Sequence, residues 1–259
     1  MSEKNSLEFM NPILIKLKEN SIWFYNKFTE PKIVKISIYV SLLTFLPGLI
    51  LGLIIAINFG PLSYNLFYNY ISDLGSIKYT PAPFILDLTC ILTSIFIIPL
   101  ILNLSRLYSS HQNHTIDNSK REHRLIVSRR IFGYMGVGCL FVGIFGMFFV
   151  GIFSLDRSIF DLHFVFATLT FGGFAFGAFF TGLAIVLKRR IFPKIIGYFM
   201  IFGPPAASIF FIIPPEPLTR AFLEWLMMLS GIAWYYPVVW ITMQKLNTIL
   251  FFDPNFKWQ

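Results

Sequence analysis

The run Val34 to Phe59, VKISIYVSLLTFLPGLILGLIIAINF, holds one charge, Lys35, beside its start and none after it. It exceeds the ~20 apolar residues that a helix needs to cross a hydrocarbon core. Its apolar residues are continuous rather than alternating, which predicts a helix and not a barrel strand, since every backbone group in lipid must be bonded internally. Five more runs have the same character: Phe84 to Leu104, Ile131 to Phe153, Leu162 to Leu187, Ile195 to Ile213 and Phe222 to Met243. The whole chain is 56% hydrophobic and only 13% charged, with a mean hydropathy of +0.68. The expected fold is therefore all-α: a polytopic membrane protein whose residues 34–244 form a bundle of six transmembrane helices. That leaves a segment 1–33 before it and a tail 245–259 after it, and no room for a second, soluble domain.

The positive-inside rule orients the bundle. Of the 21 Lys and Arg, all but Lys78, Arg157 and Arg220 fall on the side that carries both termini. Both termini are thus expected in the cytosol, with the loops after the first, third and fifth spans outside. Met1 to Pro31 contains Glu3, Glu8, Glu19 and Glu30 and reads as no cleavable signal. Lys, Asn and Ile usage favours a prokaryotic cell membrane. The net charge of +8 sits in short membrane-hugging loops, so anionic lipid headgroups rather than nucleic acid are the expected counter-charge. The basic loop Arg106 to Arg130 carries His111, His114 and His123 without Cys or carboxylates at fixed offsets, a weak metal pattern. The sequon Asn113-His114-Thr115 lies on the cytosolic side and is expected to stay unmodified.

Asn11-Pro12 has the form of an N-cap followed by proline at the first helical position. Leu14, Leu17, Phe24 and Phe28 then recur at helical spacing, as in an amphipathic helix lying on the inner leaflet. The aromatic tail Phe251 to Trp258 has the composition of an interfacial anchor. Within the spans, Gly48, Gly52 and Ala56, Gly136, Cys139, Gly143 and Gly146, and Gly173 with Gly177 mark close helix approaches, either within the bundle or in a homo-oligomer. Cys90 and Cys139 read as small packing residues, and Gly203-Pro204-Pro205 predicts a kink.

Ionisable residues on the outer side are few and lie at one depth. Ser72 and Asp73 occupy a polar turn, Tyr70-Ile71-Ser72-Asp73-Leu74-Gly75, and Asp87 sits one turn into the second span. Asp161 and His163 open the fourth span, and Glu216, Arg220 and Glu224 flank or enter the sixth. Steps of three and four lead from His163 through Ala167, Thr170, Phe174, Gly177 and Thr181, from Asp87 to Cys90 and Ser94, and from Glu224 to Gly231 and Tyr235. These faces are expected to turn inward, toward a shared outer vestibule.

A buried ionisable group in a membrane is costly and is a functional-site candidate. Each group also has a structural reading: Arg220 and Glu224 as an ion pair, Asp161 as a helix cap, and Ser72-Asp73-Leu74-Gly75 as an Asx-type turn.

The stretch Tyr70 to Gly75, followed by Pro81, Pro83 and Phe84, resembles the "ISDxG…P…F" signature of the Frag/DRAM/Sfk family of six-span membrane proteins. It is more similar still to domain-of-unknown-function family 998, a prokaryotic six-span family with an ISDLG-like turn. His163 and Ala167 are similar to the His-plus-small-residue motif of those families. Leu74 replaces their common Thr, and Phe164 stands where Asn usually follows the His, both of which favour the prokaryotic family. The resemblance implies membrane lipid as the substrate or partner class.

Three functions follow as expectations. The first is binding or organisation of lipid through the outer vestibule. The second is an intramembrane lipid hydrolase or transferase using Ser72 as nucleophile or oxyanion donor, Asp73 and Asp87 as orienting groups and His163 as base, with Glu224 nearby. In a variant of it, Asp73, Asp87 and His163 hold a divalent metal. The third is transport of a small molecule, which normally needs ionisable or unwound elements at mid-depth.

Overall fold

The computed structural model describes residues 12–109, 120–187 and 192–252. Asn11, the 110–119 stretch with His111, Asn113 and His114, the basic residues at 188–190 and the tail beyond Phe252 lie outside the described residues. Among the described residues the regular elements are helices, six of them long and apolar enough to cross a membrane.

Helix α1 (Pro12–Phe28) precedes the first span. It exposes Leu17, Ile22, Trp23 and Phe24 together with Lys16, Lys18, Glu19 and Lys27. Its inner face is tied down where the Tyr25 hydroxyl lies 2.9 Å from Ser105 Oγ. Helix α2 (Pro31–Phe59) is the first span, opened by proline in its first turn. The second span divides into α3 (Phe84–Phe96) and α4 (Ile98–Ser109). Pro99, one residue into α4, has no N–H to return to the preceding turn, so the break falls in this span. By contrast α7 (Lys194–Ile212) is continuous through Gly203-Pro204-Pro205.

Helix α5 (Lys120–Ile152) starts well before its apolar run, because Lys120 to Arg130 is rich in good helix formers that keep the helix going beyond hydrocarbon. The second half of the basic loop is therefore helical rather than a flexible segment. Helix α6 (Leu162–Val186) is the fourth span and α8 (Arg220–Phe252) the sixth.

The spans pack in chain order into a ring: α2 on α3, α3 on α5, α5 on α6, α6 on α7, α7 on α8 and, most sparsely, α8 back on α2. The α5–α6 seam is the most extensive because glycine lets the backbones touch. A Cβ on Gly173 would stand 2.3 Å from the Gly143 nitrogen. One on Gly146 would stand 2.6 Å from the Thr170 nitrogen, and on Gly177 2.6 Å from a Leu140 methyl. In a solvent where lipid tails are as apolar as leucine, such close approach is what holds helices together. The outward faces stay apolar: Leu43, Ile50, Leu51, Ile54 and Ile57 on α2 and Phe202, Ile209 and Ile212 on α7 are all exposed.

Candidate functional site

At the end of the ring away from most basic residues, the loop 60–83 folds over the bundle. Its anchor is Leu74, which is 1% exposed and packs with Leu49, Ala56, Leu86, Met147 and Trp225. The surrounding turn is a short 3-10 helix, Ile71–Gly75. Asp73 closes it reciprocally: its N–H donates to the Tyr70 carbonyl at 3.2 Å, and its Oδ2 accepts the Tyr70 N–H at 2.9 Å and Asn69 Nδ2 at 3.2 Å. Burial pushes the Asp73 carboxyl above its ordinary range, against the bonds from Asn69 and Tyr70 and the attraction of Lys78. Tyr64 donates to the Tyr70 carbonyl at 2.7 Å, and its phenol is held above the usual range by burial, with the Asp73 and Glu224 carboxylates adding to the effect.

The next amide in the chain serves the sixth span. Ile71 N–H donates to Glu224 Oε2 at 2.7 Å, and Trp225 Nε1 donates to the Asn69 carbonyl at 3.2 Å. The spacing of Arg220 and Glu224 predicts an ion pair, but the structure forms none. Glu224 turns inward to the loop amide, while Arg220, one turn earlier, is exposed.

Asp87 and His163 are engaged by the loop 153–161. Asp87 is buried and paired with Arg157, whose Nε also donates to Ser154 Oγ at 3.0 Å. Asp156 accepts from Ser76 Oγ at 2.8 Å and from the Ile77 N–H at 2.6 Å, stitching the two loops together. Asp161 occupies the N-cap position of α6 in the left-handed region, φ 56°, yet its side chain makes no cap bond. Ser158 takes that role, accepting the His163 N–H at 2.9 Å, because a left-handed cap residue does not aim its carboxylate at the first amides. His163 Nδ1 lies 2.9 Å from the Phe153 carbonyl. A carbonyl can only accept, so Nδ1 carries hydrogen and Nε2 is left free to accept.

Beneath the turn the ring lines a partly open cavity of about 200 Å³. It exceeds the ~150 Å³ of apolar cavities that stay dry and take up benzene. Along α8 its wall runs from Glu224 to Val238, and along the second span from Leu86 to Leu104. At 1.5 Å per residue the α8 stretch is about 21 Å long. That is longer than the ~15 Å of one leaflet, half of a ~30 Å hydrocarbon core. The lining is almost wholly apolar; Ser72, His163 and Glu224 share its wall at the loop end, while Thr93, Thr170, Ser230 and Tyr235 line it further down.

The structure thus brings together three of the five residues picked out by sequence. Asp73 and Asp87 are outside the lining and are committed to Tyr70 and Arg157. Among the described residues no cluster of three His, Cys, Asp or Glu side chains could hold a metal, and Asp73, Asp87 and His163 do not converge. Cys90, a free thiol, lines the cavity. The sequence reading missed Asn69, Asp156, Arg157 and Trp225 as members of the polar network. The adjacency of Trp225 to Glu224 is the one signal that pointed to any of them. No family model, curated protein or solved structure matches the chain.

Proposed function

We propose that this protein binds a long-chain membrane lipid inside its helix ring, with the chain along the apolar cavity and the head at Ser72, His163 and Glu224. The observation that carries this reading is the cavity itself: mostly apolar, lined by helix stretches longer than one leaflet, and with His163 and Glu224 at its loop end. Left unfilled, the apolar wall of this partly open cavity lacks packing partners. An alkyl chain provides them, and a membrane supplies alkyl chains at high concentration. Similarity of the ISDLG turn to family 998 and to the Frag/DRAM/Sfk proteins points to the same ligand class. In this reading the protein sits in a cell membrane with the turn outside and both termini in the cytosol.

Gly231 provides the test. It lines the cavity, and nothing lies within 4 Å of where its Cβ would stand. The Cβ of Gly231→Phe meets open space, and its ring is expected to occupy the cavity. Organic extraction of purified wild-type protein followed by mass spectrometry is expected to yield about one bound lipid per chain, and Gly231→Phe close to none. Equal recovery from both would refute the reading.

A second reading, lipid hydrolysis or transfer, draws on His163. Its ring is oriented through Nδ1 and its Nε2 is free, in a cavity that Ser72 also lines. Ser72 and His163 share no hydrogen bond in this structure, so a bound substrate would have to bring them together. Under this reading Ser72→Ala abolishes turnover of a bound ester lipid. Among the described residues the ionisable groups lining the cavity wall lie at its loop end, apart from Cys90 and Tyr235, which gives ion-coupled transport no relay at mid-depth.

A further inference from the structure

A lipid chain moving from the bilayer into this cavity leaves one hydrocarbon environment for another, so the chain contributes little discrimination. Selection has to come from the polar end, and that end offers acceptors. Glu224 is 7% exposed and His163 2% exposed, and both line the cavity. Glu224 uses Oε2 on the Ile71 amide, and among the described residues nothing bonds its Oε1. His163 uses Nδ1 on the Phe153 carbonyl, and nothing among them bonds Nε2. Ser72 Oγ, on the same wall, is likewise unengaged.

Two carboxyl groups, Asp73 and Glu224, stand at this end, and among the described residues the one cation that acts on them, Lys78, attracts Asp73 from beyond salt-bridge distance. Asp73 and Glu224 sit on successive amides, Tyr70 and Ile71. Neither makes a salt bridge, unlike Asp87, which pairs with Arg157. Lys78 lies over the Tyr79 ring, 5.3 Å from its centroid, and Arg220 is exposed. No Lys or Arg lines the cavity.

We propose that the polar end of this cavity is a site for the protonated amine head of a long-chain lipid. An ammonium group has three N–H donors and a positive charge. It meets three unengaged acceptors, Glu224 Oε1, His163 Nε2 and Ser72 Oγ, and offsets the carboxylate. A carboxylate or phosphate head would face Glu224 with no cation to pair with, and a neutral hydroxyl would gain the hydrogen bonds without the charge term. This inference rests on the lipid-binding reading of the cavity and adds the chemistry of the head.

The test compares dodecylamine, dodecanol and dodecanoate on the full-length protein in detergent at pH 7, where an alkylamine is protonated. Binding is read by native mass spectrometry, and the signal assigned to the cavity is the part abolished by Gly231→Phe. The amine is expected to bind at least about tenfold more tightly than the acid, or about 1.4 kcal/mol, with the alcohol between them. Glu224→Gln, which keeps an oxygen for the Ile71 amide, should bring amine and alcohol within about threefold of each other. Amine binding no tighter than the alcohol or the acid, or unaffected by Glu224→Gln, overturns the head assignment and leaves the cavity reading standing. If none of the three gives a signal sensitive to Gly231→Phe, both readings fall.

Discussion

Glu224 reaches from the start of the last spanning helix to the Ile71 amide, 2.7 Å away, and so fastens the loop turn to the helix ring. A charge-assisted bond to an amide in a nearly dry setting is among the stronger hydrogen bonds. Glu224→Ala leaves that part-buried N–H without its partner, with an expected loss of about 1–2 kcal/mol. Glu224→Gln retains an acceptor and is expected to lose less than half as much. Equilibrium unfolding in mixed micelles, followed by tryptophan fluorescence, distinguishes the two.

Arg157 is largely exposed while its partner Asp87 is buried, so the pair is neither a surface bridge nor a fully buried one. Arg157→Ala is expected to cost about 1–3 kcal/mol, between those limits, chiefly by stranding the Asp87 carboxylate. Adding Asp87→Asn removes the stranded charge. The double variant should therefore be more stable than Arg157→Ala alone, and a double-mutant cycle measures the difference.

Asp73 gives the loop a pH dependence with a definite sign. Its carboxyl titrates higher in the folded protein than in the unfolded chain, mainly because it is buried. The folded state therefore binds more protons in the interval between the two values, and stability falls as pH rises through it. The contribution is complete below the unfolded carboxyl value and lost above the folded one. Asp73→Asn keeps an oxygen for the Tyr70 amide and should flatten this part of the profile, read as unfolding midpoint from pH 3 upward.

Two adjacent glycines on α6 test the packing. A Cβ on Gly173 would run into the Gly143 backbone, whereas one on Gly172 would meet nothing within 4 Å. Gly173→Ala is expected to destabilise by about 1–3 kcal/mol through overpacking. Gly172→Ala should be neutral or slightly stabilising, because alanine is the better helix former by about 1 kcal/mol. Thermal unfolding of the two variants side by side checks the contrast.

How far the sequence could be read depended on whether a feature was local. All six spans were legible from run length, since Leu162 to Leu187 or Ile195 to Ile213 has no stable alternative in lipid. The inward faces were legible from helical period. Stepping from Glu224 reaches Gly231 and Tyr235, and from His163 it reaches Ala167, Thr170 and Phe174, all of which line the cavity. Pro99 also carried the signal for the break in the second span. The partners of the polar groups were not legible. Arg220 has the right spacing to pair with Glu224, but the amide that wins Glu224 is supplied by Ile71, far away in the chain. Likewise Arg157 meets Asp87 only because the loops after the first and third spans fold over the same end of the ring.

The central claim, that a lipid chain occupies the ring, is tested most directly at Trp234, which is buried and lines the cavity well below the polar end. Bromine on an alkyl chain quenches tryptophan at short range, so protein is reconstituted with lipid brominated mid-chain. The Trp234 contribution is isolated as the difference between wild type and Trp234→Phe, each with and without Gly231→Phe. The account predicts strong quenching of Trp234 in the wild-type cavity and its loss when Gly231→Phe fills the space. Trp234 emission that brominated chains leave unchanged, or quench equally with and without Gly231→Phe, would contradict it.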